Sequence, residues 1–131
     1  MIDITGQIIT PGLIDTHRHG WQTAFKKIAS NATLAGYIGR YGESVAASSS
    51  PEDVYLGQLT GLYEALNAGV TTLLDHARHT WSNATAYVEI DALVESGGRV
   101  IWLYTFHNIT SLNYTISDQI PTPARSPRAT S

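Results

Sequence analysis

The sequence predicts an α/β protein built on a parallel sheet, and three observations lead to this fold class. Three runs of strand length, residues 7–17, 70–76 and 99–106, are rich in β-branched and aliphatic residues. Segments with helical spacing separate these runs, and such alternation is typical of parallel strands joined by right-handed crossovers. Only 15% of the 131 residues are charged, below the average of about a quarter, which favours many buried positions.

The first run, residues 7–17, predicts two short strand segments separated by a Pro-Gly turn signal, because proline cannot lie inside a central strand. In the second segment, successive side chains point to opposite faces, so Asp15, His17 and His19 are expected on one face. The imidazoles of His17 and His19 should therefore converge at the end of this strand.

Residues 20–50 predict a long, partly helical loop, and the clearest helix begins after it. Ser50 is suited to cap this helix, proline fits its first position, and two acidic residues follow at the positive end of the helix dipole. The helix is expected to run to Asn67, with Gly69 as the stop. Its buried apolar stripe is predicted to consist of Tyr55, Leu59, Leu62, Tyr63 and Leu66.

The run from Val70 to His76 predicts a buried strand with polar residues at its carboxyl end. A second helix begins near Ser82 and ends at a Gly-Gly pair, and residues 99–106 predict a third buried strand. The residues expected to be buried on the second helix are Ala84, Tyr87, Val88, either Asp91 or Leu93 and, less cleanly, Val94.

Composition excludes several classes of function. The net charge is −3 and basic residues form no cluster beyond Lys26 and Lys27, so no nucleic-acid partner is expected. The absence of cysteine excludes a disulfide framework and a cysteine nucleophile, and leaves histidine and carboxylate as metal ligands. The longest apolar stretch, residues 100–106, is too short to span a membrane, and the first residues lack a leader pattern. A cytoplasmic protein is therefore expected.

Parallel α/β architecture leaves two main fold types, the open doubly wound sheet and the closed barrel. Both place their chemistry at the carboxyl ends of the strands, where the two histidines lie. A dinucleotide-binding sheet is disfavoured, because the turn after the first strand is HRHGWQT rather than a glycine-rich phosphate loop.

The run PGLIDTHRH resembles the first-strand signature of the amidohydrolase superfamily, the metal-dependent hydrolases and deaminases built on a (β/α)8 barrel. More narrowly, GQIITPGLIDTHRHGWQT followed by a helix ending EALNAGVTTLLDH is similar to the cytosine-deaminase and chlorohydrolase-like branch. The resemblance covers about residues 5–106. It implies a partial (β/α)8 TIM barrel of about three β/α units at residues 11–110, preceded at residues 1–10 by a remnant β-sandwich strand. Residues 111–131, rich in proline and serine, are expected to be a disordered tail.

The resemblance implies that His17 and His19 ligate a divalent metal ion, zinc with iron or manganese as alternatives. It further implies that metal-activated water attacks a non-peptide C–N bond of a small heterocyclic or amidine-like substrate. Gln22 and His76 are candidate substrate-binding residues, with a solvated loop glutamine and simple pocket lining as the alternatives. Asp15 is a candidate to orient a ligand, and equally a carboxylate that fixes the turn.

Other residues receive more ordinary expectations. A surface position is expected for His79, and His107 after the third strand is assigned no ligand role. No residue is assigned as a catalytic acid or base. The three tryptophans are expected to pack in the core or at its rim, namely Trp21, Trp81 and Trp102.

A complete barrel takes about 250 residues, and the later metal ligands of the superfamily come from strands beyond the third. Three hypotheses therefore remain. The first is a metal-dependent hydrolase, here truncated, and the second is a catalytically inactive fragment that binds metal weakly. The third is a small interaction module that pairs its open sheet edges with a partner or with a second copy as a homo-oligomer.

Overall fold

The computed structural model describes residues 3–28, 30–42, 48–106, 108 and 113–120, and it confirms the α/β class. A single three-stranded sheet is joined by helices. The elements in chain order are β1 (Leu13–Arg18), a 3₁₀ helix (Gly20–Phe25), α1 (Leu34–Tyr41), α2 (Pro51–Asn67), β2 (Val70–Ala77), α3 (Asn83–Ser96), β3 (Val100–Tyr104) and α4 (Ile116–Gln119).

The three strands are parallel and lie in chain order, β1 beside β2 and β2 beside β3. Leu73 of β2 is in register with Asp15 on one side and with Val100 on the other. Sequential parallel order is compatible with consecutive units of a β/α fold, in which all strands present their carboxyl ends at one edge.

Helices α2 and α3 pack against each other on one face of this sheet. On that face, Leu62 and Ala65 of α2 are buried against Leu73, and Leu93 of α3 packs on the same cluster with Val100. A second cluster combines Trp21, Val54 and Trp81, with Phe25, Val88 and Tyr114 packed against it. Within the described part of the chain the opposite face of the sheet is open, since Ile14, Ile101 and Leu103 are 68%, 54% and 41% exposed.

Helix α2 begins where the sequence predicts. The Ser50 hydroxyl accepts a hydrogen bond from the Asp53 backbone N–H, and the Asp53 carboxylate accepts one from the Ser50 N–H. This reciprocal cap satisfies two backbone donors that a helix start otherwise leaves free.

The predicted buried stripe of α2 is largely wrong. Of its five residues only Leu62 is fully buried, and Tyr63 and Leu66 are exposed. The helix instead buries the face that carries Gly57 and Gly61, because these glycines let the 3₁₀ helix approach its backbone. The buried residues of α2 are Val54, Gly57, Gln58, Gly61, Leu62 and Ala65.

The buried face of α3 also differs from the prediction. Ala84 and Val94 are exposed, whereas Val88 and Leu93 pack on the core. An acidic residue, Glu89, lies at the centre of the buried face, and a pattern of apolar residues does not identify it. The fully buried residues of α3 are Thr85, Ala86, Glu89 and Ala92.

The β-sandwich remnant expected at the start of the chain stays a prediction, and residues 3–12 contain no strand. In the expected tail, residues 116–119 form α4, which a Thr115–Asp118 capping pair stabilises, and Gln119 is buried. Residues 121–131 lie outside the described residues. Among the described helices, none has the length and apolar character needed to cross a membrane.

Candidate functional site

Three imidazole rings meet at the carboxyl ends of β1 and β2. The ring centroids of His17 and His19 are 5.1 Å apart. The ring centroid of His76 lies 5.1 Å from that of His17 and 5.2 Å from that of His19. The Nε2 atoms of His17 and His19 are 3.4 Å apart. The convergence of these two side chains, expected from strand alternation, is therefore present.

A backbone contact holds the His19 ring. Its Nδ1 atom is 2.7 Å from the backbone carbonyl oxygen of His76. A carbonyl oxygen only accepts hydrogen bonds, so Nδ1 carries the hydrogen and, in the neutral ring, Nε2 carries a lone pair. Burial lowers the pKa of His19, and the neighbouring His76 and His17 lower it further, while the His76 carbonyl contact and Asp75 oppose the shift.

Asp15 lies on a different side of the sheet from that expected. The register is irregular between Asp15 and Arg18, and these residues pair with Leu73 and Asp75, which face the helices. The Asp15 carboxylate accepts from the His17 backbone N–H at 3.2 Å and lies 3.5 Å from the Arg18 guanidinium. Both contacts are local, within three residues of Asp15.

Gln22 lies in the 3₁₀ helix and lines a cleft of about 660 Å³ that also reaches His19. Its side chain hydrogen-bonds Tyr37, whose pKa is raised by burial and lowered by this bond. On the wall of the cleft, Lys26 donates to Glu64 at 2.9 Å and Arg18 lies 4.0 Å from the same carboxylate. The cleft thus combines amide and imidazole groups with two cationic side chains and one carboxylate.

Beneath the histidines lies a buried carboxylate that sequence reasoning did not single out. Asp75 is fully buried, accepts the Gly20 backbone N–H at 3.1 Å, and accepts a second hydrogen bond from the Gln58 amide. Gln58 is fully buried as well. The available signal was an aspartate that interrupts an apolar strand run, in the letters LLDH.

The surface position expected for His79 is wrong, since this residue is fully buried. Its Nε2 atom lies 2.6 Å from a Glu89 carboxyl oxygen, which also accepts a hydrogen bond from the Trp102 indole at 2.6 Å. Burial lowers the pKa of His79 to about 3, against a weaker opposite effect of Asp75. Burial, with the neighbouring Asp75, raises the pKa of Glu89 well above its usual range.

The tryptophans behave as expected, with Trp21 and Trp81 buried and Trp102 half-buried. Within the described part of the chain, no group of three or more histidine or carboxylate side chains is arranged to hold a metal ion. His107 lies outside it. The described candidate ligands are therefore the pair His17 and His19, with His76 beside them.

Comparison with known proteins gives one family. The model of the amidohydrolase family matches residues 8–114. A 5-methylthioadenosine/S-adenosylhomocysteine deaminase of Acetivibrio thermocellus is 32% identical over 89 residues, which are 68% of this chain and 21% of that protein. A 5'-deoxyadenosine deaminase of Methanosarcina mazei is 33% identical over 75 residues, 57% of this chain and 17% of that protein. The chain thus spans about a fifth of the length of these curated relatives.

Proposed function

The chain belongs to the amidohydrolase family, and from this premise we propose that it forms the first part of a metal-dependent hydrolase that deaminates a small nucleoside. In this proposal His17 and His19 hold the metal ion, and the sheet supplies the first three units of a β/α barrel. The observation that carries the proposal is the 3.4 Å distance between the Nε2 atoms of His17 and His19.

That distance fits two ligands of one tetrahedral ion. Imidazole nitrogens bind zinc at about 2.0–2.1 Å, and two such bonds at the tetrahedral angle place their nitrogens about 3.3–3.4 Å apart. Neutral imidazole is also the donor that zinc accepts in proteins, with iron and manganese as alternative ions. When bound, such an ion supplies Lewis-acid activation of water for attack on the carbon of a C–N bond.

The chain's own residues prepare the ligands. The contact between His19 Nδ1 and the His76 carbonyl fixes the orientation of the His19 ring and leaves Nε2 facing His17. A hydrogen bond of this kind on the second ring nitrogen is a frequent partner of metal-binding histidine, because it selects the tautomer. We assign Asp15 to the turn that places His17, where it accepts the backbone N–H of that residue.

The cleft beside His19 supplies the substrate site in this proposal. Gln22 lines it, and the Gln22 amide can both donate to and accept from a heterocyclic base. His76 stands beside the two proposed ligands, outside the lining of this cleft, and we assign it a substrate contact at the metal site. The two relatives described above are named as deaminases of adenosine-type compounds, so we propose an aminopurine nucleoside as the substrate class. A cytoplasmic location remains a prediction.

The remaining ligands of a working site are proposed to lie beyond the described residues, because the described ones provide no group of three. The chain alone is then expected to bind zinc weakly, as the inactive-fragment hypothesis also requires. Hydrolysis by the chain alone would instead mean that ligands are recruited from other segments or from a second copy.

The test is zinc binding by the untagged chain, measured by elemental analysis and by competition with a chromophoric chelator. We expect weak binding that saturates at one ion per chain when zinc is in excess, and an affinity at least about tenfold lower in His17→Ala and in His19→Ala. Thr16→Ala, an exposed site between them on β1, is the matched control and should bind as the wild type does. Equal zinc affinity in all four proteins would contradict the proposed ligands.

A parallel assay separates the hydrolase from the inactive fragment. Ammonia release from 5'-deoxyadenosine in the presence of zinc, abolished by His17→Ala, would support catalysis by this chain. Zinc binding without ammonia release would favour the fragment, with activity confined to a longer protein.

A further inference from the structure

We propose that Asp75 is a positioning residue of the metal site, which holds the backbone at Gly20 and thereby fixes His19 in its ligand geometry. This inference rests on the proposed function, since it assigns a role toward the same ion. It concerns a residue that neither the sequence pattern nor the match to relatives singled out.

The first step is the hydrogen bond itself. The Gly20 backbone N–H, directly after His19, donates to a carboxylate oxygen of Asp75 at 3.1 Å. Both Gly20 and Asp75 are buried, so water does not compete for this donor and acceptor. A hydrogen bond in such surroundings is electrostatically stronger than the same bond in water.

The second step is that consecutive residues of β2 hold His19 at two points. The Asp75 side chain holds the backbone just after His19, and the His76 carbonyl oxygen holds the Nδ1 atom of the ring at 2.7 Å. One strand therefore constrains both the main chain and the side chain of this candidate ligand. If either contact is lost, the other alone does not fix the position of the His19 ring.

The third step is that the protein holds Asp75 as well. The Gln58 amide from α2 donates to its second carboxylate oxygen, and Gln58 is fully buried. A Cβ atom at Gly20 would lie 2.7 Å from the Gln58 amide atoms, so the turn can pass this close only with glycine. Each oxygen of this side chain has a donor, which offsets the cost of burying a polar group.

The experiment compares the full wild-type chain with Asp75→Ala and Asp75→Asn, and with Asp91→Ala at an exposed site on α3 as control. In Asp75→Ala we expect zinc affinity to fall about 10- to 100-fold and Gly20 amide hydrogen exchange to accelerate at least about tenfold in the metal-free chain. Asp75→Asn keeps an oxygen for Gly20, and its new N–H group can donate to the Gln58 Oε1 atom, which lacks a partner among the described residues. The zinc affinity of Asp75→Asn should therefore lie within about threefold of the wild-type affinity.

Nuclear magnetic resonance of the metal-free chain distinguishes failure of this inference from failure of the proposed function. A Gly20 amide and a His19 ring signal that stay unchanged in Asp75→Ala would overturn the positioning role, whatever zinc does. Changed signals with unchanged zinc affinity would overturn it too, whereas unchanged affinity in His19→Ala would overturn the metal site itself. Should Asp75→Ala not fold, Asp75→Asn must still shift the Gly20 amide proton, because a different acceptor group then lies against the Gly20 N–H. An unmoved proton contradicts the proposal.

Discussion

The Nδ1 atom of His19 lies 2.7 Å from the backbone carbonyl oxygen of His76 and joins the carboxyl end of β1 to that of β2. A side chain from the first strand thus contacts the main chain of the second, although 57 positions separate the two residues. The contact sets the direction of the His19 ring before any ligand is bound.

The first prediction concerns the tautomer of His19. At pH 8 the neutral ring should carry its hydrogen on Nδ1, because the carbonyl oxygen of His76 can only accept. Long-range ¹⁵N–¹H correlation spectra of the metal-free chain report which nitrogen is protonated. A ring protonated on Nε2 would show that the contact with His76 is not formed in solution.

The second prediction concerns the pH dependence of stability set by His79. Its pKa is about 3 in the folded protein, below the ordinary value of 6.5. Between these values the unfolded chain binds one more proton than the folded chain, so the free energy of unfolding decreases as pH falls. The free energy of unfolding of the wild type, relative to that of His79→Gln, should therefore change with pH in this window. The slope should correspond to about one proton per chain. Urea unfolding from pH 4 to pH 7 measures it, and parallel curves would contradict a neutral buried His79.

The third prediction concerns its partner Glu89, for which the sign is opposite. The folded-state pKa lies well above 4.5, so above that pH the folded chain holds one more proton than the unfolded chain. Stability from this group is present below pH 4.5 and is lost as pH rises toward the raised pKa. Glu89→Gln should therefore gain stability relative to the wild type as pH rises, in urea unfolding from pH 5 to pH 9. Glu52→Gln, at an exposed position of α2, should leave the shape of the curve unchanged.

The fourth prediction is that Gly61→Ala destabilises the protein, although alanine favours helices by up to about 1 kcal/mol. A Cβ atom at this position would lie 2.4 Å from the Gly20 carbonyl oxygen and 2.6 Å from Thr23 Oγ1. Overpacking of this kind costs about 1–3 kcal/mol. The matched control is Gly39→Ala in α1, where a Cβ has no neighbour within 4 Å. Thermal unfolding compares the two, and equal effects would mean that the 3₁₀ helix does not pack on α2.

The fifth prediction is self-association through the open face of the sheet. Ile101 and Leu103 are exposed on the face that the helices leave uncovered, and an exposed apolar sheet surface favours association. The double variant Ile101→Thr/Leu103→Thr should remain monomeric at concentrations at which the wild type dimerises in sedimentation velocity. Val94→Thr removes a 66% exposed residue from α3 and should leave dimerisation unchanged. A monomeric wild type at high concentration would remove the main support for an interaction module.

Features set by neighbouring residues could be predicted from the sequence. The start of α2 depends on Ser50 and Asp53, three positions apart, and the converging pair His17 and His19 is separated by a single residue. Interactions between residues this close in the chain can be identified from the sequence alone. The fold class follows from the same local patterns, once they alternate.

Features set by distant residues could not be predicted in this way. The buried His79 has its Nε2 atom 2.6 Å from a Glu89 carboxyl oxygen, and the Trp102 indole donates to the same oxygen. The buried face of α2 was missed because it is lined with glycine and glutamine, which an apolar stripe does not count. The register irregularity that moves Asp15 away from His76 arises only when β1 pairs with β2.

The two apolar clusters differ in how much of the chain they need, which sets an order of events during synthesis. The cluster around Leu62 and Leu73 draws all its members from residues 62–100, whereas the tryptophan cluster combines residues from position 21 to position 114. As the chain leaves the ribosome, the first cluster can close while the last segment is still in the exit tunnel. The tryptophan cluster is therefore completed after the first one, because Tyr114 is the last of its members to be synthesised.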